Sequence, residues 1–361
     1  MFLVHLRGMA GGSSRRFLCR EGFWTGSRWL HLRPRPRVYL LALSWLTFFS
    51  LSRCNGFVPG AIAGPGFRLA PTQRQAQKIL PSLADLIQTL STTGGSFSVG
   101  SGHTCAIEAD GHVNCVGQNA DGQCVVPEHL GPVRSVSVGA HHTCAIKVDN
   151  HLVCFGRNAD GQCDAPELLG PVLAVSAGGR HTCAVKADGR LACFGYDGQK
   201  QCRVPNKWGS VLDVSAGGDH TCAINADGLL VCSGHNDFGQ CDVPENLGLV
   251  IAVSAGGHHT CAIKADGQLV CFGRNYNWQC DIPEDLGPVL AVSAGRDHTC
   301  AINANGQLIC FGHNGFGQCD VPKRLGPVLA VSADGHHTCA MKADGQLAYF
   351  GSNEHGQCEL P

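Results

Sequence analysis

The sequence predicts an all-β protein, a seven-bladed β-propeller of seven 39-residue repeats, preceded by a basic N-terminal leader. Two observations predict this fold. The 361 residues include 48 Gly, which suits turns between short strands better than helix interiors. The triplet His-Thr-Cys recurs every 39 residues without an insertion or deletion, beginning at His103, His142, His181, His220, His259, His298 and His337.

The first 95 residues differ in charge from the rest of the chain. Residues 1–95 contain 12 Lys and Arg against 2 Asp and Glu, whereas residues 96–361 contain 15 against 26. Arginines precede an apolar run over 38–51, which is short for a membrane span but suits the core of a signal peptide. We therefore predict that residues 1–56 are a signal and targeting leader, cleaved before Phe57. A signal anchor that stays in the membrane at 38–51 is the alternative.

Residues 57–95 are predicted to be a transit-like linker. The sequence Phe57-Val58-Pro59 resembles the start of the transit part in the bipartite leaders of proteins sent to complex plastids. A complex plastid is therefore the alternative to the secretory pathway and the extracellular space. A short amphipathic helix is predicted at about 81–90, where four apolar residues share one side. These four are Leu83, Leu86, Ile87 and Leu90.

The repeats at 96–361 predict the propeller itself. Alternating apolar positions, separated by Gly, Asp, Asn and Pro, indicate short antiparallel strands. A period near 40 residues with about four strands is typical of one propeller blade. One blade cannot bury both of its faces, but a closed ring of seven can. Because 96–361 is just short of seven full repeats, we expect the first strand to complete the last blade.

The sequence of the repeats also resembles that of a known family. Residues 265–275 read Ala-Asp-Gly-Gln-Leu-Val-Cys-Phe-Gly-Arg-Asn, and a Gly-Gln step follows in most copies. This sequence resembles the regulator-of-chromosome-condensation repeat, whose family forms seven-bladed propellers. The repeats here are shorter than is usual, and the position that normally holds Trp is Val116, Phe155, Phe194, Ser233, Phe272, Phe311 or Phe350. Cysteine replaces the usual Leu of the Gly-Gln-Leu step at Cys124, Cys163, Cys202, Cys241, Cys280, Cys319 and Cys358.

Hairpin register decides which cysteines can pair. A three-residue loop at Ala265–Gly267, with Gly in the left-handed position, sets Cys261 against Cys271 and Ile263 against Leu269. This register separates apolar from polar side chains, whereas a two-residue loop would mix them. We therefore predict six cross-strand disulfides, with Cys339 left unpaired opposite Tyr349. They are Cys105–Cys115, Cys144–Cys154, Cys183–Cys193, Cys222–Cys232, Cys261–Cys271 and Cys300–Cys310.

Two other interpretations of the cysteines stay open. Reduced, buried thiols would be expected in cytosol, and the His-x-Cys strands place both side chains on one face, as a metal site would need. The spacing of zinc ligands, Cys-x-x-Cys or His-x-x-x-His, does not occur in the repeats, and we predict no metal and no cofactor. The cysteine of each Gly-Gln-Cys step is predicted to fill a core position as a small hydrophobe.

The repeated histidines are predicted to be structural, each donating into the loop that follows a Gly. Three of them are preceded by a second histidine. These pairs are predicted to titrate near pH 6.5 and to weaken binding there. The pairs are His141-His142, His258-His259 and His336-His337.

The short loop after each third strand varies most between repeats. In a propeller these loops share one rim, so five aromatic residues are predicted to cluster over blades three to six, with basic residues beside them. Aromatic and Arg enrichment is typical of protein-binding hot spots, although ordinary packing of rim residues on neighbouring blades is the alternative. The predicted partner-binding residues are Arg157, Tyr196, Lys200, His235, Phe238, Arg274, Tyr276, Trp278, His313 and Phe316.

The repeats contain no unique nucleophile, base or phosphate loop, so we predict a protein that is not an enzyme. The interpretation is a non-catalytic protein-binding propeller, a scaffold or an inhibitor-like or receptor-like module, with a monomeric mature form free of the membrane. An acidic propeller disfavours nucleic acid. The resemblance implies two alternatives, a nucleotide-exchange factor for a small nuclear GTPase and the propeller of HECT ubiquitin ligases without the catalytic domain. Seven uniform repeats leave no room for the inserted wedge that such exchange factors use to release the nucleotide.

Overall fold

The computed structural model describes residues 97–360, so the predicted leader, apolar run and helix of residues 1–95 lie outside the described residues. Twenty-one strands form seven antiparallel sheets of three, and each sheet uses three consecutive strands. We number the sheets as blades 1 to 7. The strands of blades 1 to 3 are β1 (Phe97–Val99), β2 (His103–Ile107), β3 (Val113–Gly117), β4 (Val133–Val138), β5 (His142–Lys147), β6 (Leu152–Gly156), β7 (Val172–Ala177), β8 (His181–Lys186) and β9 (Leu191–Gly195).

The four later blades repeat this pattern. A 3₁₀ turn at Asn206–Trp208 precedes blade 4. Within residues 97–360, no helix is long and apolar enough to cross a membrane. The strands of blades 4 to 7 are β10 (Val211–Ala216), β11 (His220–Asn225), β12 (Leu230–Gly234), β13 (Val250–Ala255), β14 (His259–Lys264), β15 (Leu269–Gly273), β16 (Val289–Ala294), β17 (His298–Asn303), β18 (Leu308–Gly312), β19 (Val328–Asp334), β20 (His337–Lys342) and β21 (Leu347–Gly351).

Two details of the predicted blades are wrong. Each blade has three strands rather than about four, because the segment after each Gly-Gln-Cys step forms turns. A proline such as Pro244 in that segment lacks the N–H that a strand ladder needs. The first strand does not complete the last blade either, since β1 pairs with β2 of its own sheet.

Hydrogen bonds between side chains of successive blades close the ring. The imidazole Nε2 of each repeated histidine lies 2.8–3.0 Å from the Thr Oγ1 of the next blade, and the last pair joins blade 7 to blade 1. The histidines therefore bind the neighbouring blade and not the loop predicted for them. The pairs are His103–Thr143, His142–Thr182, His181–Thr221, His220–Thr260, His259–Thr299, His298–Thr338 and His337–Thr104.

The threonine contacts also fix which histidine nitrogen carries the proton. Six of these threonines donate their hydroxyl proton to the carbonyl oxygen of a Gln in the preceding repeat, as Thr260 does to Gln240 at 2.8 Å. The six histidines that contact these threonines must then donate from Nε2, which leaves their Nδ1 atoms as acceptors. All seven Nδ1 atoms are buried and have no hydrogen-bond partner among the described residues.

A second ring of hydrogen bonds runs around the inner strands. In each blade a serine Oγ accepts the backbone N–H of the next blade at 2.9–3.0 Å, which includes the step from Ser332 to Val99. These bonds satisfy inner-strand N–H groups that have no partner in their own sheet. The seven blades therefore form a closed ring, with the first strand of each blade nearest the axis.

The hairpin register is as predicted. Cys261 lies opposite Cys271 and Ile263 opposite Leu269, around a loop in which Gly267 has a φ of 87°. The structure contains all six cross-strand disulfides, one in each of blades 1 to 6. In blade 7, Cys339 is buried and unpaired, with Tyr349 opposite.

The cysteines of the Gly-Gln-Cys steps do not occupy the core position predicted for them. They are half-buried, and each thiol donates to the carbonyl oxygen of the first loop residue, as Cys241 does to His235 at 3.4 Å. Burial raises the pKa of the Cys241 thiol to about 12. A thiol that stays protonated is a poor nucleophile, so these cysteines are expected to react slowly with disulfides.

Replacing Tyr349 by Cys is expected to create a seventh disulfide with Cys339, because the two residues share the register of the other six pairs. Closing a loop of about 11 residues should raise the free energy of unfolding by about 2–3 kcal/mol. Tyr349→Ala is the matched control for the loss of the phenol. Denaturant unfolding without reductant measures the effect, and equal stability of the two variants would contradict the prediction.

Candidate protein-binding surface

The variable loops and the turns between first and second strands lie at the same end of the ring. In blade 2, for example, Gly156 pairs with His142, and the N–H of Arg157 donates to the carbonyl oxygen of His141. We call this end the loop end. Since this pairing recurs in every blade, the loop end carries seven equivalent loops around one axis.

Each loop is held by side chains that the repeats share. In blade 5, the Asn275 Oδ1 accepts the N–H of Cys280 at 2.8 Å, and the Gln279 Oε1 accepts the N–H of Asn277 at 2.9 Å. The Gln is fully buried in this loop. The backbone of the loop is therefore fixed, and the variable side chains project from a rigid frame.

Five side chains of blades 4 and 5 meet at the loop end, and we call them the aromatic cluster. Phe238 packs edge-on against Tyr276 with ring centroids 6.0 Å apart, and lies 5.3 Å from His258. Arg274 lies over both rings, at 5.6 Å from the Phe238 centroid and 5.2 Å from that of Tyr276. His235 completes the cluster at 5.9 Å from Phe238. These distances suit aromatic pairs and cation–π contacts.

Two large aromatic side chains at this end face solvent. Tyr276 is 72% exposed and Trp278 is 69% exposed. Trp278 also has a φ of 60°, at a loop position where five of the seven repeats have Gly and one has Lys200. A bulky residue in this left-handed region costs roughly 1 kcal/mol or more, so Trp278 occupies a place that the fold alone would give to Gly.

The other predicted rim residues do not join this cluster. Phe316 packs on His336 at 4.4 Å and near His313, which forms a second group on blades 6 and 7. Tyr196 lies under Arg180 at 4.9 Å in blade 3. Lys200 is exposed and Arg157 is half-buried, in blades 3 and 2, outside the aromatic cluster of blades 4 and 5. The five aromatic residues are therefore divided among separate places on the rim.

Comparison with known proteins identifies the repeats. A family model described as the regulator of chromosome condensation (RCC1) repeat matches residues 96–123, 133–162, 172–201, 211–240, 250–279 and 289–318. The chain belongs to the RCC1 repeat family. The seventh repeat lies beyond these matches, and it forms blade 7 of the ring. No curated protein matches the sequence.

Solved structures of RCC1-type and related propellers have the same fold. The CRINKLY WD40 ectodomain of the Arabidopsis thaliana receptor kinase ACR4 has 22% identity and a TM-score of 0.59, covering 71% of this chain and 97% of its own. The ectodomain of the Physcomitrella patens receptor kinase CR4 has 23% identity and a TM-score of 0.60, with 72% and 74% covered. Prp20p from Saccharomyces cerevisiae has 18% identity and a TM-score of 0.56, with 71% and 81% covered.

Sequence reasoning missed the turn residues that support the rim. In five repeats the residue before the repeated histidine lies against the loop of the preceding repeat, and this residue varies as the loops do. His258 packs on Phe238, His336 on Phe316, and Asp297 lies 3.5 Å from the guanidinium of Arg274. These turn residues could have been recognised from the sequence, because their position varies although it is directly followed by a constant His-Thr-Cys.

Five of the paired histidines have pKa values below the predicted 6.5. Burial lowers the pKa of His142 to about 3, and the pKa values of His259 and His337 to about 4. Burial also lowers the pKa of His258 and of His336 below the ordinary value. The imidazole of His258 in the aromatic cluster is therefore neutral at pH 7.

A cavity of about 450 Å³ lies on the axis, lined by small residues and serines of the inner strands. Asp334 faces this cavity at a position where the other six repeats have Gly, and burial raises the pKa of its carboxyl to about 6. Among residues 97–360, no three His, Cys, Asp or Glu side chains converge as metal ligands would. The aromatic cluster with its exposed Tyr276, together with the exposed Trp278 of the same loop, offers a surface for non-covalent contact.

Proposed function

We propose that this chain is a non-catalytic binding propeller whose partner is a protein that docks on the loop end over blades 4 and 5. The observation that carries the proposal is Trp278, a solvent-exposed Trp at a position with positive φ that most repeats give to Gly. The fold gains nothing from a bulky side chain there. Strain of this kind persists where function requires it.

The neighbouring residues have the composition of a binding hot spot. Tyr, Trp and Arg dominate the energetics of protein interfaces, and all three occur within one loop here, at Arg274, Tyr276 and Trp278. The rigid frame of the loop reduces the conformational entropy lost on binding. His235, Phe238 and His258 pack around Arg274 and Tyr276, so the exposed Tyr276 ring is already oriented before a partner arrives.

The family and the disulfides support a protein ligand outside the cytosol. Two of the similar structures are ectodomains of receptor kinases, and Prp20p is described by its binding to Gsp1p and histones. Six disulfides favour an oxidising compartment. We place the mature propeller in the secretory pathway or the extracellular space, and its partner with it.

Replacing Trp278 by Gly together with Tyr276 by Ala is expected to weaken partner binding by roughly 30-fold or more, the effect of losing about 2 kcal/mol at a hot spot. Trp278→Gly alone is expected to leave the melting temperature unchanged or raise it, because Gly adopts positive φ without strain. Proteins retained from the secreted fraction of the source cells by wild type and by the variant are compared, and the affinity of each candidate is then measured with purified components.

Two controls separate binding from stability. Lys200→Gly makes the same backbone change at the equivalent loop position of blade 3, outside the aromatic cluster. Leu249→Ala removes an apolar side chain that is 56% exposed beside the hairpin of blade 4 at the opposite end. Both controls should keep the partner. If the double variant also keeps every partner at wild-type affinity, the loop end of blades 4 and 5 is not the binding surface.

A further inference from the structure

Six of the seven interfaces between blades are filled by the same kind of apolar cluster. Each cluster contains a large side chain from the segment that connects two repeats and a Val from the start of the next inner strand. Between blades 4 and 5, for example, Leu247 and Val250 pack on Ile224 and Leu230. The connecting residues are Leu130, Leu169, Trp208, Leu247, Leu286 and Leu325, and the valines are Val133, Val172, Val211, Val250, Val289 and Val328.

The interface between blades 7 and 1, which we call the seam, has a cleft instead. Its volume is about 540 Å³, and its walls include Ile107 of blade 1 with Met341 and Leu347 of blade 7. Residues 97–360 provide the seam with neither the connecting Leu nor the first Val. In the repeat register, the position of that Val falls on Gly94, just before the described residues.

The chain upstream of the propeller begins at this cleft. Phe97, the first described residue, lies in the cleft wall, so the preceding residues start from the cleft itself. Within the next 16 residues upstream, the sequence has four apolar side chains at the spacing of one helix face. They are Leu83, Leu86, Ile87 and Leu90.

One wall of the seam carries a carboxylate that no other repeat has at the same position. Glu108 lines the cleft at a repeat position that elsewhere holds Lys or Asn, and it accepts a hydrogen bond from Asn114. Asn114 in turn replaces the Val, Ala or Ile of the other repeats. The upstream residues 57–80 contain basic but no acidic side chains. Glu108 therefore complements the basic residues of 57–80, whereas residues 81–96, with Asp85 and no Lys or Arg, match the cleft by their apolar side chains.

We propose that residues 81–96 of this same chain fold back along the seam and fill the cleft. The apolar side chains at 83, 86, 87 and 90 take the place of the missing Leu and Val, against Ile107, Met341 and Leu347. The segment after the predicted cleavage at Phe57 then belongs to the mature propeller, and the ring is complete only when this segment is retained.

A double-mutant cycle on the full chain tests this contact. Ile87→Ala and Leu347→Ala should each lower the melting temperature, and the double variant should lose clearly less than the sum of the two shifts, because both changes empty the same cleft. Leu269→Ala is the matched control, since Leu269 has the same repeat position as Leu347 at an interface that is already filled. Ile87→Ala and Leu269→Ala should lower the melting temperature additively.

Three results would overturn the proposal. Additive shifts for Ile87→Ala with Leu347→Ala would show that the segment does not contact the seam. Coupling that appears only at concentrations where the protein sediments as a dimer would assign the cleft to a second copy. An intact mass of the native protein that begins after residue 96 would remove the segment altogether.

Discussion

Acidification from pH 7 to about 5 is expected to unfold the propeller cooperatively. The cause is the ring of seven buried histidines, whose pKa values burial lowers from 6.5 to about 3 or 4. Protonation would give each Nδ1 a proton without an acceptor among the described residues. Each of these imidazoles therefore stays neutral as long as the ring is folded.

The sign of the effect follows from where protons bind. Below pH 6.5 the unfolded chain takes up a proton on each of the seven histidines, and the folded chain does not until about pH 4. Stability is therefore complete above pH 6.5 and falls as the pH drops. Asp334 opposes this between about pH 6 and 4, because its raised pKa of about 6 makes the folded state bind a proton first. The net uptake of about six protons lowers the free energy of unfolding by about 8 kcal/mol per pH unit.

Because the histidines of the unfolded chain are only half protonated at pH 6.5, the loss of stability from pH 7 to 5 totals about 11 kcal/mol, which is comparable to the total stability of an ordinary domain, about 5–15 kcal/mol. Denaturant unfolding at a series of pH values from 7.5 to 5 measures it. His220→Gln is a matched variant, because the amide can still donate to Thr260 but does not titrate, and it should reduce the slope by about one proton. A free energy of unfolding that is constant between pH 7 and 5 would contradict the prediction.

Reduction of the six disulfides is expected to have the second large effect. Each bond closes a hairpin loop of about 11 residues and stabilises the fold by about 2–3 kcal/mol through the unfolded state. Because the six loops lie in separate hairpins, their contributions should add approximately. A strong reductant should therefore lower the melting temperature far more than any single substitution on the surface.

The pair Cys261→Ala with Cys271→Ala isolates one bond and should cost about 2–3 kcal/mol. Cys280→Ala is the control for losing a thiol of the same blade, since Cys280 is half-buried and unpaired. Thiol labelling of the unfolded protein should find the twelve paired cysteines protected until reduction. A melting temperature that does not change with reductant, together with full labelling, would show that the cysteines are reduced in the folded protein.

The sequence by itself determined the number of blades, the register of their hairpins and the cysteine pairs. Because the repeat length is constant, the same hairpin register can be checked in each of the seven repeats. Only the correct register places apolar side chains opposite apolar ones and polar side chains opposite polar ones. Cys261 and Cys271 could be paired in this way because hairpin neighbours are local in the chain. The loops that vary between repeats can also be recognised in the sequence, and they contain Tyr276 and Trp278.

Contacts between blades were decided only by the tertiary structure. The partner of His220 is Thr260, 40 residues away, and nothing in the local pattern distinguishes that threonine from the one beside the histidine. The same holds for the rim, where His258 and Arg274 gather Phe238 and Tyr276 into one cluster while Phe316 packs separately. Local periodicity fixes the strands and their register, but the side chains that face another blade depend on ring closure, which brings together residues distant in the chain.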